Sequence, residues 1–182
     1  MRKDLKAALI TAFDPYVFKG GIERYTIQLI QLLKDNGVSV DVYHTGMIDD
    51  DAGLHQKLIG KIFSVGQMFY RYDRDYDFLI SNSFYGLGYF PPRIKSYNIY
   101  HSTHIAFDKS TEGVISPITS LELTYLCGYL GEMVSGFGRI NIAVSEGVGD
   151  ELRRYYDFKD IKVIESGVDT KLFSPLKDRV VI

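Results

Sequence analysis

Apolar positions along this chain switch repeatedly between the period of a strand and that of a helix. Lys6 to Thr11 (Lys-Ala-Ala-Leu-Ile-Thr) is a short apolar run and predicts a buried strand. After the turn-rich Asp14-Pro15-Tyr16-Val17-Phe18-Lys19-Gly20-Gly21, the residues Ile22, Tyr25, Leu29, Leu32 and Leu33 recur at helical spacing and mark one buried face. That helix closes on Lys34-Asp35-Asn36-Gly37, a late lysine with a capping glycine. Val38, Val40 and Val42 then alternate with Ser39, Asp41 and Tyr43, a second strand. The first 43 residues therefore predict a β-α-β unit with a glycine pair just before its helix.

The alternation continues. Leu54 to about Tyr70 is helical, Tyr76 to Ser81 a third strand, and Ser96 to His101 a fourth, with Pro91-Pro92 closing the segment between them. A long helix is expected between Pro117 and Phe137. Ile140 to Val144 reads as a fifth strand running into Ser145, an N-cap for the helix Glu146 to Tyr156. Ile161 to Ile164 is a sixth strand, ending at Gly167-Val168-Asp169. Strands alternating with helices predict an α/β fold: a parallel sheet with helices on both faces. Such sheets bind ligands outside the carboxyl ends of their strands. The loop before Gly20-Gly21, Ser81-Asn82-Ser83, His101-Ser102-Thr103-His104 and Ser145 should all gather on that rim.

Composition narrows the classes. The 182 residues include 46% hydrophobic and 24% charged ones, which excludes a disordered or fibrous chain. Net charge is −2 and evenly spread, without the basic stripe of a nucleic-acid binder. The lone Cys127 rules out an internal disulfide and zinc-ribbon spacing, and it fits the reducing cytoplasm. There is no run of about 18 apolar residues, and the apolar stretch Ala7 to Ile10 is too short for a secretory signal. Lys57 and Lys61 sit among Leu58, Ile59, Ile62, Phe63, Met68 and Phe69. That pattern reads first as a helix packed on its sheet and second as peripheral contact with an acidic membrane.

The chemistry-bearing residues are few. A glycine pair opening a helix lets backbone N–H groups approach an anion, and it serves equally as a tight turn. Gly20-Gly21 is neither the Gly-x-Gly-x-x-Gly dinucleotide fingerprint nor a P-loop, which demotes NAD and ATP. His101 at the end of strand four could donate a hydrogen bond to a substrate oxygen or act as a base, and His104 follows three residues on. Two histidines do not make a metal site. Asp49-Asp50-Asp51, Asp73-Arg74-Asp75 and Asp75-Tyr76-Asp77 match a short metal-binding Asp-x-Asp string, which acid-rich loops also generate freely. The latter two precede strand three, at the rim opposite the expected site.

Gly20-Gly21-Ile22-Glu23-Arg24-Tyr25 with the helix and strand that follow resembles the opening of the GT-B-fold, family-4-type retaining glycosyltransferases. Ile142-Ala143-Val144-Ser145-Glu146-Gly147-Val148 is similar to the family's strand-Val-Ser-helix segment. Val163-Ile164-Glu165-Ser166-Gly167-Val168-Asp169 with Phe173 and Pro175 is similar to its Ile-Pro-Asn-Gly-Val-Asp stretch, with Glu165-Ser166 in place of Pro-Asn. The resemblance implies two Rossmann-like domains facing each other across a cleft. Residues 1–176 would be the N-terminal, acceptor-side domain, and 177–182 the start of the connection to a C-terminal donor domain. It implies transfer of a sugar from a nucleotide-diphosphate donor to an acceptor hydroxyl with retained anomeric configuration, with no cofactor and no metal. Gly20 and Gly21 would approach the donor diphosphate, His101 the transferred sugar, and Asn82, Ser83 and His104 the acceptor. The family's Glu-x7-Glu donor motif has no copy in this chain, so the chain alone is expected to be inactive. A GT-B-fold sugar-nucleotide epimerase and a non-catalytic binding module are the alternatives.

Overall fold

The computed structural model describes residues 5–48 and 58–167. Asp49-Asp50-Asp51, the expected helix start at Leu54, and the end of the chain from Val168, including Phe173, Pro175 and 177–182, lie outside the described residues.

Six strands form one parallel sheet: β1 (Leu5–Ile10), β2 (Val38–Tyr43), β3 (Phe78–Asn82), β4 (Lys95–Tyr100), β5 (Ile140–Ala143) and β6 (Ile161–Val163), in the order β2-β1-β3-β4-β5-β6. Among the described residues the α-helices are α1 (Gly21–Asp35), α2 (Leu58–Phe69), α3 (His104–Ser110), α4 (Pro117–Leu121), α5 (Val134–Gly136) and α6 (Glu146–Tyr156). A π-helical stretch, Glu122–Met133, joins α4 to α5, so the helical run expected from Pro117 to Phe137 is present but loosened in its middle. The predicted α/β class, a Rossmann-like parallel sheet with helices around it, is the one observed.

Strand residues alternate between two cores. Leu9, Ile80 and Ile99 face α1 and pack on Ile30. Ala8, Ile10 and Leu79 face the other way, against Val65 and Phe69 of α2, while Tyr100 and Ala143 meet Val148 and Leu152 of α6. Near-continuous apolar strands are what burial on both faces requires.

Two expectations change, and one helix is added. Tyr76 is not in a strand: its N–H bonds back to Asp73, and its hydroxyl engages Asp41 and Tyr43, so β3 starts at Phe78. Leu32, expected on the buried face of α1, is 61% exposed, whereas Glu23 and Thr26 take buried positions on that helix. The seven-residue α3 has too short a pattern to read, but it is fixed by a cap, with Thr103 Oγ1 accepting from the Ala106 N–H at 3.1 Å.

Packing behind the rim is close. A Cβ on Gly88 would stand 2.6 Å from the Phe63 carbonyl carbon, and one on Gly66 would stand 2.5 Å from the Cα of Gly88. Helix α2 and the segment after β3 thus touch backbone to backbone. Arg139, buried and pushed down to about 10 by desolvation, donates to the carbonyls of Ser135, Gly86 and Tyr89 and ties the same segment to the start of β5.

Candidate functional site

Two cavities at the carboxyl rim share His101 as a lining residue. Strand β4 ends at Tyr100, so His101 is the first residue free of the ladder and its side chain reaches both spaces. The edge of its ring packs against Tyr25, with centroids 4.7 Å apart at 83°. Its Nε2 is buried without a hydrogen-bond partner among the described residues. Burial holds its pKa below the usual 6.5, so the imidazole is neutral at pH 7.

One cavity, of about 470 Å³, lies between the first turns of α1 and the segment after β6. Gly20 caps α1 with extended backbone and offers no side-chain cap. The first helical bond runs from the Arg24 N–H to the Gly20 carbonyl, so the N–H groups of residues 21–23 belong to the unpaired first turn. The two glycines differ. At Gly20 a Cβ would collide with Glu23 Oε2, so that glycine makes room for a buried carboxylate of its own helix. At Gly21 nothing among the described residues lies within 4 Å of the Cβ position, and the residue lines the cavity with Arg24, Gln28 and Ser166.

The other cavity, of about 300 Å³, is built around Glu132, which is 1% exposed. Ser83 Oγ and Tyr156 Oη donate to its carboxylate, and so does the His104 N–H at 2.9 Å. His104 Nδ1 stands 2.8 Å from Glu132 Oε1, at ion-pair distance. The backbone carbonyl of Glu132 accepts from Tyr100 Oη at 2.8 Å. This is the company an ionised carboxylate needs when buried. Ser83 has a left-handed φ of 48°, a sparsely populated conformation for a side-chain-bearing residue, held here by its bond to Glu132. Tyr85 on the wall is pushed up to about 12, chiefly by burial and further by the charges of Glu23 and Glu132. Glu151 of α6 accepts from the Thr103 N–H at 2.9 Å and braces the His101–His104 loop from below.

The structure thus brings His101, Gly21, Ser83 and His104 to one rim. Asn82 is 1% exposed beneath α1, donating to Thr26 Oγ1 at 3.0 Å, and lines neither cavity. Ser145 caps α6, accepting from the Val148 N–H. Asp73, of the Asp-x-Asp string before β3, is buried against Arg93 and Tyr89 at the far end of the sheet. Among the described residues no cluster of three or more His, Cys, Asp or Glu could hold a metal ion, and no helix is long and apolar enough to cross a membrane. Sequence reasoning missed Glu132. Its one local sign is an acid in a stretch, Leu123 to Gly136, that carries no other charged residue.

A parallel Rossmann-like sheet with two cavities at its carboxyl rim, sharing one strand-end histidine, defines an open α/β domain built to bind across that edge. The chain belongs to Glycosyltransferase Family 4, whose profile matches residues 19–172. Among solved structures, sucrose-phosphate synthase from Thermosynechococcus elongatus is similar, with a TM-score of 0.70 at 20% identity over 94% of this chain and 50% of that one. The chain therefore spans about half the length of that structure, and the shared part is the Rossmann-like half of a GT-B fold. Comparison with curated proteins gives no match.

Proposed function

We propose that this chain is the acceptor-side domain of a retaining glycosyltransferase that moves a sugar from a nucleotide-diphosphate donor to an acceptor hydroxyl. The observation that carries the reading is His101: a neutral imidazole at the end of β4 that lines both cavities, with a buried ring nitrogen that has no hydrogen-bond partner among the described residues. In this scheme the donor sugar lies against His101, which gives it a hydrogen bond and supplies no obligatory base. The diphosphate leaves toward the unpaired N–H groups of α1, where the helix dipole favours its growing charge and the missing Gly21 side chain permits close approach. The acceptor hydroxyl enters from the Ser83–His104 side. A second domain supplies the opposite wall and most donor contacts, and the chemistry needs no cofactor.

The test is nucleotide release by the complete protein across a panel of nucleotide sugars. His101→Ala should lower transfer about 100-fold, the scale of losing one preorganised donor to a developing charge, while circular dichroism shows the fold intact. Near-normal turnover in that variant would remove His101 from the site.

A further inference from the structure

We infer that the cavity around Glu132 receives an uncharged, hydroxylated sugar ring of the acceptor and selects against phosphorylated acceptors. The inference deepens, and rests on, the transferase reading. Three features of the cavity carry it. Its size, about 300 Å³, is at the bottom of the range of ligand pockets and suits one ring. Its walls include Ile22, Phe84, Phe107 and Leu123, which match the C–H face of a sugar, whereas the hydroxyl edge of a ring needs polar partners on one side only. Those partners are Ser83, Ser102 and His104, whose Nδ1 stands 2.8 Å from Glu132 Oε1 and whose ring meets that of Phe84 edge-on, with centroids 5.0 Å apart.

Charge decides the class of ligand. Among the described residues neither lysine nor arginine lines this cavity, and a buried carboxyl group forms its floor. A phosphate dianion placed here would lose its hydration and gain no net positive partner, a cost that charge-assisted bonds elsewhere repay. Arg24 lines the other cavity, beyond His101.

The experiment compares methyl glycosides with their 6-phosphates as acceptors of the complete protein, using whichever nucleotide sugar supports turnover. The neutral acceptor should have the higher kcat/KM by about tenfold or more, the scale of one poorly compensated buried charge. Glu132→Gln keeps the shape of the floor and removes its charge, so it should narrow that preference. If its melting temperature falls too far for assay, Ser102→Lys sets a cation at the exposed mouth and should move the preference the same way. His104→Ala should raise the acceptor KM more than the donor KM. Preference for the phosphate ester, or a preference indifferent to these changes, overturns the inference. If no nucleotide sugar is consumed, it is the transferase reading that falls. Saturation-transfer NMR with the methyl glycosides and their phosphates then decides the cavity by itself, and failure of the neutral ligand to bind better overturns it.

Discussion

His101 shows how one residue couples the site to stability. Its folded pKa is depressed by burial, so the unfolded chain binds a proton more readily than the folded one does. Where the unfolded state holds more protons, stability rises with pH. The contribution is therefore complete above pH 6.5 and is lost as pH falls from there toward the depressed folded value. Denaturant unfolding at pH 7.5 and 5.5 should show a smaller acid loss for His101→Gln than for the parent chain; equal losses would contradict a buried neutral imidazole. Glu23 and Gly20 make the complementary point. The glycine is required where the carboxylate folds back over it, whereas Gly21 has no such constraint and faces open space. From sequence the two were equivalent, because what distinguishes them is a side-chain rotamer and the neighbouring cavity.

At the scale of elements, the rim is held by backbone contact rather than by side-chain filling. Helix α2 meets the segment after β3 through Gly66 and Gly88, and Arg139 fastens that segment with bonds to the carbonyls of Gly86 and Tyr89 while a third holds Ser135. Gly88→Ala has no room to relax, because the obstructing atoms are the backbone of Phe63, and it should cost about 1–3 kcal/mol or more, the range of overpacked sites. Thermal unfolding of that variant checks it, with Gly21→Ala as the contrasting substitution in open space. Periodicity revealed α1, α2 and α6 because each buries a stripe against the sheet. It missed α3, which has only seven residues and depends on the Thr103 cap and the Glu151 brace. It also misplaced the start of β3, since Tyr76 is as apolar as a strand residue but spends its polar groups on a turn and on Asp41.

For the whole molecule, strand order sets both the site and the distribution of stability. Strands β1, β3, β4 and β5 lie inside the sheet, while β2 and the three-residue β6 form its edges. Amide hydrogen exchange should therefore leave Leu9, Ile80 and Ile99 protected longest and release β6 first; early exchange of the central strands would contradict a single cooperative core. The sequence by itself determined the β/α alternation, the parallel class of the sheet, the caps at Ser145 and Gly37, and the rim as the place to look for His101 and the glycine pair. Those features depend on neighbours a few residues apart, whose spacing is written in the chain. Only the tertiary structure decided that Ser83, His104 and Tyr156 converge on Glu132, from positions 49, 28 and 24 residues away. It alone decided that Asn82 turns under α1 and that His101 lines two cavities. Such meetings follow from the order of strands and the packing of helices across them, and no local period encodes them.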